Sequence, residues 1–155
     1  MTQLLILAAL AISGCRKTTP VPAGDILAAL ALPTADDRAF DPETLRGKPT
    51  LVMFASPTCG YCAAELPIAQ RAAAAEQANL VAVYIIGQKA HAASVTKSAG
   101  FTGPVLVDES GELRKKYDIK GVPYTVVLKA NGHASEAFRG QQDEATLREA
   151  IDDAR

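Results

Sequence analysis

The sequence has few cysteines, no tryptophan and no excess of either charge. Its 155 residues include three cysteines, and 16 Lys and Arg stand against 17 Asp and Glu, which gives a formal net charge of −1 at pH 7. Proteins that bind nucleic acid or another polyanion generally carry a basic excess, so this class is disfavoured and no nucleic-acid partner is expected. The length predicts one domain, large enough to bury a hydrophobic core.

A hydrophobic run long enough to cross a membrane is also missing from the N-terminal region. The run LLILAALAI at 4–12 falls short of the about 20 residues that a bilayer requires. Small residues and Cys15 follow it, a pattern typical of a secretory signal, although no Lys or Arg precedes the run. The letters ISGC resemble the bacterial lipoprotein box, in which cleavage precedes a cysteine that is then lipidated. We therefore predict a lipoprotein signal peptide at 1–14, with a plain cleaved signal or an apolar segment docked into the core as alternatives.

Residues 15–24 are predicted to be the lipidated Cys15 and a tether. The stretch RKTTPVPAG has no periodic apolar face, so an extended, solvated chain is expected. The domain then occupies 25–155. A lipid on Cys15 would anchor this domain to a bacterial membrane on its extracytoplasmic, periplasmic side.

Lipidation of Cys15 leaves Cys59 and Cys62 as the cysteines of the domain. Such a pair can be a structural staple, half of a metal site or a redox couple. A staple that closes so short a loop stabilises little. The other soft ligands, His91 and His133, stand alone without metal-ligand spacing. A redox couple without a metal is the interpretation that fits best.

The two cysteines lie where a strand is predicted to pass into a helix. The apolar run at 49–56 predicts a buried strand, and apolar residues at helical spacing predict an amphipathic helix over 60–78. The helix N-terminus favours a thiolate and lowers the pKa of Cys59 below the about 8.5 of a free cysteine. Thr58 is the predicted cap of this helix. Cys62 lies one turn later, shielded and close enough to attack the sulfur of Cys59.

The rest of the chain alternates between strands and helices, which predicts an α/β fold with a mixed sheet. Asn-Gly is a strong hairpin signal, so the sheet should end in a β-hairpin. The predicted elements are strands at 80–87 and 103–108, helices at 90–100 and about 110–117, a hairpin turn at Asn131-Gly132 and a last helix from Asp143.

Two stretches resemble the thioredoxin superfamily, in its TlpA-like extracytoplasmic branch. They are LRGKPTLVMFASPTCGYCAAELP and KKYDIKGVPYTVVLKANG, and the resemblance covers roughly residues 25–154. It implies a three-layer fold, with a central mixed sheet, a terminal β-hairpin and helices on both faces. It also implies a redox-active Cys59–Cys62 disulfide and no other cofactor.

The resemblance assigns roles to single residues. Cys59 matches the nucleophile and Cys62 the resolving thiol. Tyr61 lies between them, where the family tunes the reduction potential and contacts substrate. Pro123 matches the family's cis-proline, and a cis bond would expose the backbone of Val122 for pairing with a substrate peptide. A strand-leading proline is the alternative for Pro123.

Glu65 has two interpretations. It lies about one helical turn beyond Cys62, and a solvated helix residue is the plain one. In TlpA-like reductases a glutamate at this place assists proton handling at the buried cysteine, and a raised pKa would let Glu65 take the proton of Cys62. Cytoplasmic thioredoxins carry a buried aspartate where this chain has Met53, which makes Glu65 the candidate base.

Three functions remain open. The first is a membrane-tethered thiol–disulfide reductase that acts on protein thiols and disulfides and draws electrons from a membrane thiol donor. The second is an oxidase or isomerase of folding proteins, which the Gly60-Tyr61 dipeptide favours. The third is a non-catalytic anchored binding domain. The reductase is preferred, because the body of the chain resembles reductases over more residues.

Overall fold

The computed structural model describes residues 18–85 and 89–155. A five-stranded sheet has the order β3-β2-β1-β4-β5. Strands β1 to β3 run parallel, β4 is antiparallel to β1, and β5 is antiparallel to β4. The strands are β1 Thr50–Ala55, β2 Asn79–Tyr84, β3 Val105–Val107, β4 Tyr124–Leu128 and β5 Ala134–Arg139. The α-helices are α1 Gly60–Ala75, α2 Lys89–Ser98, α3 Glu112–Lys116 and α4 Glu144–Asp153, and 3-10 helices lie at Leu27–Leu30 and Pro42–Leu45.

Strand β1 is buried along its whole length because its alternate residues enter two separate cores. Met53 belongs to one buried cluster with Leu66 of α1 and Leu147 of α4. Phe54 belongs to a second cluster with Leu113 of α3 and with the first 3-10 helix. Helices therefore cover both faces of the sheet, and the predicted three-layer α/β fold is confirmed.

Several predicted boundaries differ from the observed ones. The predicted strand 80–87 ends at Tyr84, and residues 86–88 lie outside the described part of the chain. Helix α1 ends at Ala75 rather than at 78, because Gln77 adopts a left-handed backbone with φ of 53°. The N–H of Ala78 then donates to the carbonyl of Ala73 at 2.9 Å and closes the helix end.

The hairpin at Asn131-Gly132 is confirmed between β4 and β5. Gly132 has φ of 86°, a conformation that favours glycine. A Cβ atom at this position would lie 2.9 Å from the Cβ of the buried Leu27 and 2.5 Å from Oδ1 of Asp25. Glycine is therefore required here for both backbone and packing reasons.

The segment before the domain does not remain fully solvated. The N–H of Thr19 donates to the carbonyl of Ala137 in β5 at 2.8 Å, and Tyr124 Oη donates to the carbonyl of Pro20 at 3.5 Å. Pro20 and Val21 are exposed, as the prediction of a solvated tether requires, but the segment is not free, because the edge of β5 offers a backbone partner to Thr19. The predicted signal peptide and Cys15 lie outside the described residues. Within 18–85 and 89–155, no helix is long and apolar enough to span a membrane.

Candidate active site

Cys59 itself caps the N-terminus of α1. Its backbone is extended, with φ of −92° and ψ of 105°, and its Sγ accepts a hydrogen bond from the N–H of Cys62 at 3.1 Å. The prediction that Thr58 is the cap is wrong. The Thr58 hydroxyl lies 3.1 Å from Ser56 Oγ instead. The N–H of Cys59 donates to the Ser56 carbonyl at 3.0 Å and closes the turn after β1. This turn brings Cys59 to the cap position.

Cys59 and Cys62 form a disulfide, with their Cα atoms 5.2 Å apart. The two cysteines differ in exposure, since Cys62 is 3% exposed and Cys59 is half-buried. Tyr61, between them, is 71% exposed. A disulfide within one helical turn holds no distant parts of the fold together. The unequal exposure allows an incoming thiol or disulfide to reach one sulfur and not the other.

Val122 lies against the disulfide although it is far away in sequence. Its carbonyl oxygen is 3.8 Å from the Sγ of Cys59, and the Val122-Pro123 peptide bond is cis, as the resemblance implied. In the disulfide the sulfur has no proton, so this approach is a contact; in the dithiol the Cys59 thiol could donate to the same oxygen. Strand β4 begins at Tyr124, so the backbone of Val122 precedes the sheet ladder.

Glu65 is fully buried one turn after Cys62. Its Oε1 accepts from Thr125 Oγ1 at 2.8 Å, and its Oε2 accepts from the N–H of Gln142 at 3.3 Å. Burial raises the pKa of Glu65 to about 7, and the hydrogen bonds from Thr125 and Gln142 oppose that rise. The interpretation of Glu65 as a solvated helix residue is therefore wrong.

The register of the sheet explains how the carboxylate comes to this place. Met53 in β1 pairs directly with Thr125 in β4, so both side chains point to the same face of the sheet. Helix α1 covers that face and brings Glu65 to Thr125. A carboxylate from the helix thus enters the core beside the strand position where the sequence has methionine.

Sequence reasoning missed Thr125 and Gln142, which lie 60 and 77 residues from Glu65. A threonine within the apolar stretch PYTVVL was the available signal for the first. No comparable signal marks Gln142, which contributes a backbone N–H. The predicted residues near the helix start come together as Cys59, Cys62, Val122 and Pro123, while Glu65 lies deeper.

The histidines stand apart from the disulfide, and both are exposed on other elements. His91 lies in α2 and His133 in the hairpin turn. In the part of the chain that the structure describes, no group of three or more His, Cys, Asp and Glu residues is arranged to hold a metal ion.

A family model described as a thioredoxin-like domain matches residues 38–155. Among curated proteins, the chain is 33% identical over 86 residues to the methylamine utilization protein MauD of Methylophilus methylotrophus, which covers 56% of this chain and 40% of that protein. It is 30% identical over 99 residues to the thiol-disulfide oxidoreductase ResA of Oceanobacillus iheyensis, which covers 62% of this chain and 52% of that protein. The chain thus spans about half the length of the curated relatives it matches.

A similar solved structure is a secreted Mycobacterium tuberculosis disulfide oxidoreductase described as homologous to Escherichia coli DsbE. It aligns with a TM-score of 0.73 at 22% identity and covers 84% of this chain and 99% of that chain. At this identity the likeness concerns the fold.

Proposed function

The chain belongs to the thioredoxin-like domain family, and on that premise we propose that it is a thiol–disulfide oxidoreductase that reduces disulfides of partner proteins. The observation that carries the proposal is the disulfide at the start of α1, in which Cys59 is accessible and Cys62 is only 3% exposed. The relative named ResA, a thiol-disulfide oxidoreductase, supports the same reaction class.

The reaction begins from the dithiol. The Cys59 thiolate attacks one sulfur of a substrate disulfide, the substrate S–S bond breaks, and the other substrate sulfur leaves as a thiolate. Cys62, as thiolate, then attacks Cys59 in the mixed disulfide, and the second substrate sulfur leaves. The Cys59–Cys62 disulfide forms with the loss of two electrons, and the substrate gains two thiols after protonation.

The cap position favours Cys59 as the attacking residue. Its sulfur lies 3.1 Å from the N–H of Cys62, at the end of a helix of 16 residues. Unpaired N–H groups and the helix dipole stabilise a negative charge on that sulfur. The carbonyl of Val122 at 3.8 Å would favour the thiol, and we expect the several donors of the helix end to outweigh this one acceptor.

The surroundings of the pair suit a polypeptide substrate. Val122 precedes the ladder of β4 and lies against Cys59, so its backbone can pair with an extended substrate segment. Tyr61 presents a largely exposed ring beside the disulfide. We assign substrate contacts to Val122 and Tyr61. We assign to Pro123 the role of holding the Val122 backbone beside Cys59.

The sequence supports a membrane-anchored, extracytoplasmic site of action. The signal-like run and the ISGC stretch favour lipidation of Cys15. The oxidised pair must be re-reduced, and an anchored domain is near membrane proteins, so we propose a membrane thiol donor as the electron source. Metabolic labelling with a fatty acid tests the anchor, and a Cys15→Ser variant should lose both label and membrane association.

The test of the activity is insulin reduction. The wild type should reduce insulin in the presence of dithiothreitol, while Cys59→Ser should fall to the uncatalysed rate because the attacking sulfur is gone. An equal rate in both proteins would reject catalysis and favour the anchored binding domain. Cys15→Ser serves as the matched control, since it also loses one cysteine and should keep the activity.

The direction of electron flow is tested by the reduction potential. A value near the about −270 mV of thioredoxin supports the reductase, whereas a value near −120 mV supports an oxidase. The Gly60-Tyr61 dipeptide is the feature that keeps the isomerase as the second candidate, and a potential near −180 mV would favour it.

A further inference from the structure

We propose that Thr125 is a positioning residue for Glu65: its hydroxyl holds the Glu65 side chain in both the ionised and the protonated state, so that Glu65 can exchange a proton with Cys62. The catalytic role of this hydrogen bond rests on the proposed redox function. The contact itself is independent of that function and can be tested without it.

The two partners of Glu65 differ in what they can do. The N–H of Gln142, at 3.3 Å from Oε2, can only donate. The hydroxyl of Thr125, at 2.8 Å from Oε1, can donate to a carboxylate or accept from a carboxylic acid. The proton of the acid form therefore belongs on Oε1, where Thr125 can rotate its hydroxyl to accept it.

Both side chains are fully buried, so water cannot readily replace a missing partner. A buried polar group without a hydrogen bond is costly in either protonation state. Thr125 is thus the partner that keeps both states of Glu65 satisfied. A change of protonation state then requires a hydroxyl rotation and no rearrangement of the fold.

Among residues 18–85 and 89–155, no cation contributes to the surroundings of Glu65. Cys62 is the titratable neighbour on α1, Thr125 on β4 is uncharged, and Gln142 in the loop before α4 contributes its backbone. Asp143, next in that loop, is exposed and accepts from the N–H of Thr146 at 2.8 Å. Burial raises the pKa of Glu65, and within the described residues no ion pair offsets it.

The proton transfer fits the resolving step. Cys62 and Glu65 are three residues apart in α1. Residues at this spacing on a helix are neighbours, with Cβ atoms about 5–6 Å apart. The Cys62 thiol passes its proton to the Glu65 carboxylate, the Cys62 thiolate attacks Cys59 in the mixed disulfide, and the substrate leaves as a thiolate. The proton held by Glu65 is returned when the disulfide is next reduced.

The experiment compares Thr125→Val with Thr125→Ser in the full chain. Valine keeps the volume and removes the hydroxyl, whereas serine keeps the hydroxyl. The Glu65 carboxyl is titrated by 13C NMR, and the rate of insulin reduction is measured from pH 5.5 to 9. Glu65→Gln is the third variant, because its amide can donate to Thr125 and accept from Gln142 but cannot titrate.

The expected result is that Thr125→Val raises the Glu65 titration midpoint by about one pH unit, because the hydrogen bond from Thr125 to the carboxylate is stronger than the one to the carboxylic acid, so its loss disfavours the ionised form more. The acid limb of the rate profile moves by the same amount, so the rate below the midpoint falls about tenfold, while Thr125→Ser stays close to the wild type. Glu65→Gln loses this limb.

Three results would overturn the inference. The first is an unchanged Glu65 midpoint in Thr125→Val, which would leave Thr125 a packing residue. The second is an equal shift in Thr125→Ser. The third is a shifted midpoint with an unchanged rate profile, which would remove Glu65 from the resolving step. If the wild type reduces no insulin at any pH, the proposed function fails, and the carboxyl titration still decides the Thr125 contact.

Discussion

Asp25 and Glu65 are two carboxylates that the fold treats in opposite ways. Asp25 accepts from Arg46 Nη2 at 2.6 Å, and the same guanidinium donates to the carbonyl of Asn131 at 2.6 Å and binds Glu43. Arg46 holds the pKa of Asp25 below its ordinary value. Glu65 is more deeply buried, has uncharged partners, and has its pKa raised to about 7. A cation fixes a carboxylate in one state, whereas burial without a cation leaves it able to change state near neutral pH.

The largest expected effect on stability is that of Glu65→Gln. A raised pKa means that the native protein binds more protons than the unfolded chain between about pH 4.5 and 7. The wild type therefore loses stability as the pH rises through this range, by about 3 kcal/mol for the shift to about 7. The free energy of unfolding of Glu65→Gln, measured by urea denaturation, should equal that of the wild type near pH 4 and exceed it by about this amount above pH 8.

A matched control for this prediction is Glu76→Gln at the other end of α1. Arg148, which donates to Glu76 Oε1 at 2.8 Å, lowers the pKa of Glu76. The pKa of Glu76 is lowered whereas that of Glu65 is raised, so ionised Glu76 stabilises the native protein. Glu76→Gln should therefore be slightly less stable than the wild type at neutral pH, and this difference in stability should disappear in acid. A stability gain in both variants would show that charge removal alone stabilises the protein.

A smaller effect is expected for Arg46→Met. The variant leaves Asp25 without its cation, and because both side chains are about one-third exposed to screening solvent, the loss of folding stability should be small. The pKa of Asp25 in the folded protein is lowered from its ordinary value of 3.8. The ionised carboxylate therefore stabilises the fold above pH 3.8, and this stabilisation is lost as the pH falls through the folded pKa.

The difference in folding stability between Arg46→Met and the wild type, measured by urea denaturation, should therefore become smaller in strong acid. The rate of insulin reduction should be the same in both proteins. Arg38→Met is the control, because the Arg38–Asp36 pair is exposed, with 78% and 60% of the side chains accessible, and should contribute little. A large change in redox activity in Arg46→Met would contradict the separation between the two regions.

The fold and the redox pair follow from local patterns in the sequence. An apolar run followed by a helical pattern locates Cys59 and Cys62, and Asn131-Gly132 locates the hairpin. The partner of Glu65 could not be predicted in this way, because Thr125 comes to it through the register of β1 with β4. The same holds for Asp25 and Arg46, 21 residues apart. Contacts between distant segments depend on how the layers pack, which periodicity does not specify.

The local errors also have physical causes. Thr58 has the chemistry of a helix cap, but the turn closed on Ser56 gives that position to Cys59. The polar stretch before the domain has the composition of a free tether, yet Thr19 binds the edge of β5. Composition describes what a segment can do in water, and neighbouring backbone groups decide what it does in the fold.

The measurement that tests the central claim most directly is a trapping experiment with Cys62→Ala. The reduced variant is mixed with a peptide disulfide, quenched in acid and examined by mass spectrometry. Because the resolving sulfur is absent, the peptide should remain covalently bound to Cys59, while the wild type should release it and form the Cys59–Cys62 disulfide. A folded Cys62→Ala protein with no adduct on Cys59, or an equal adduct on Cys62 in Cys59→Ala, would contradict the account.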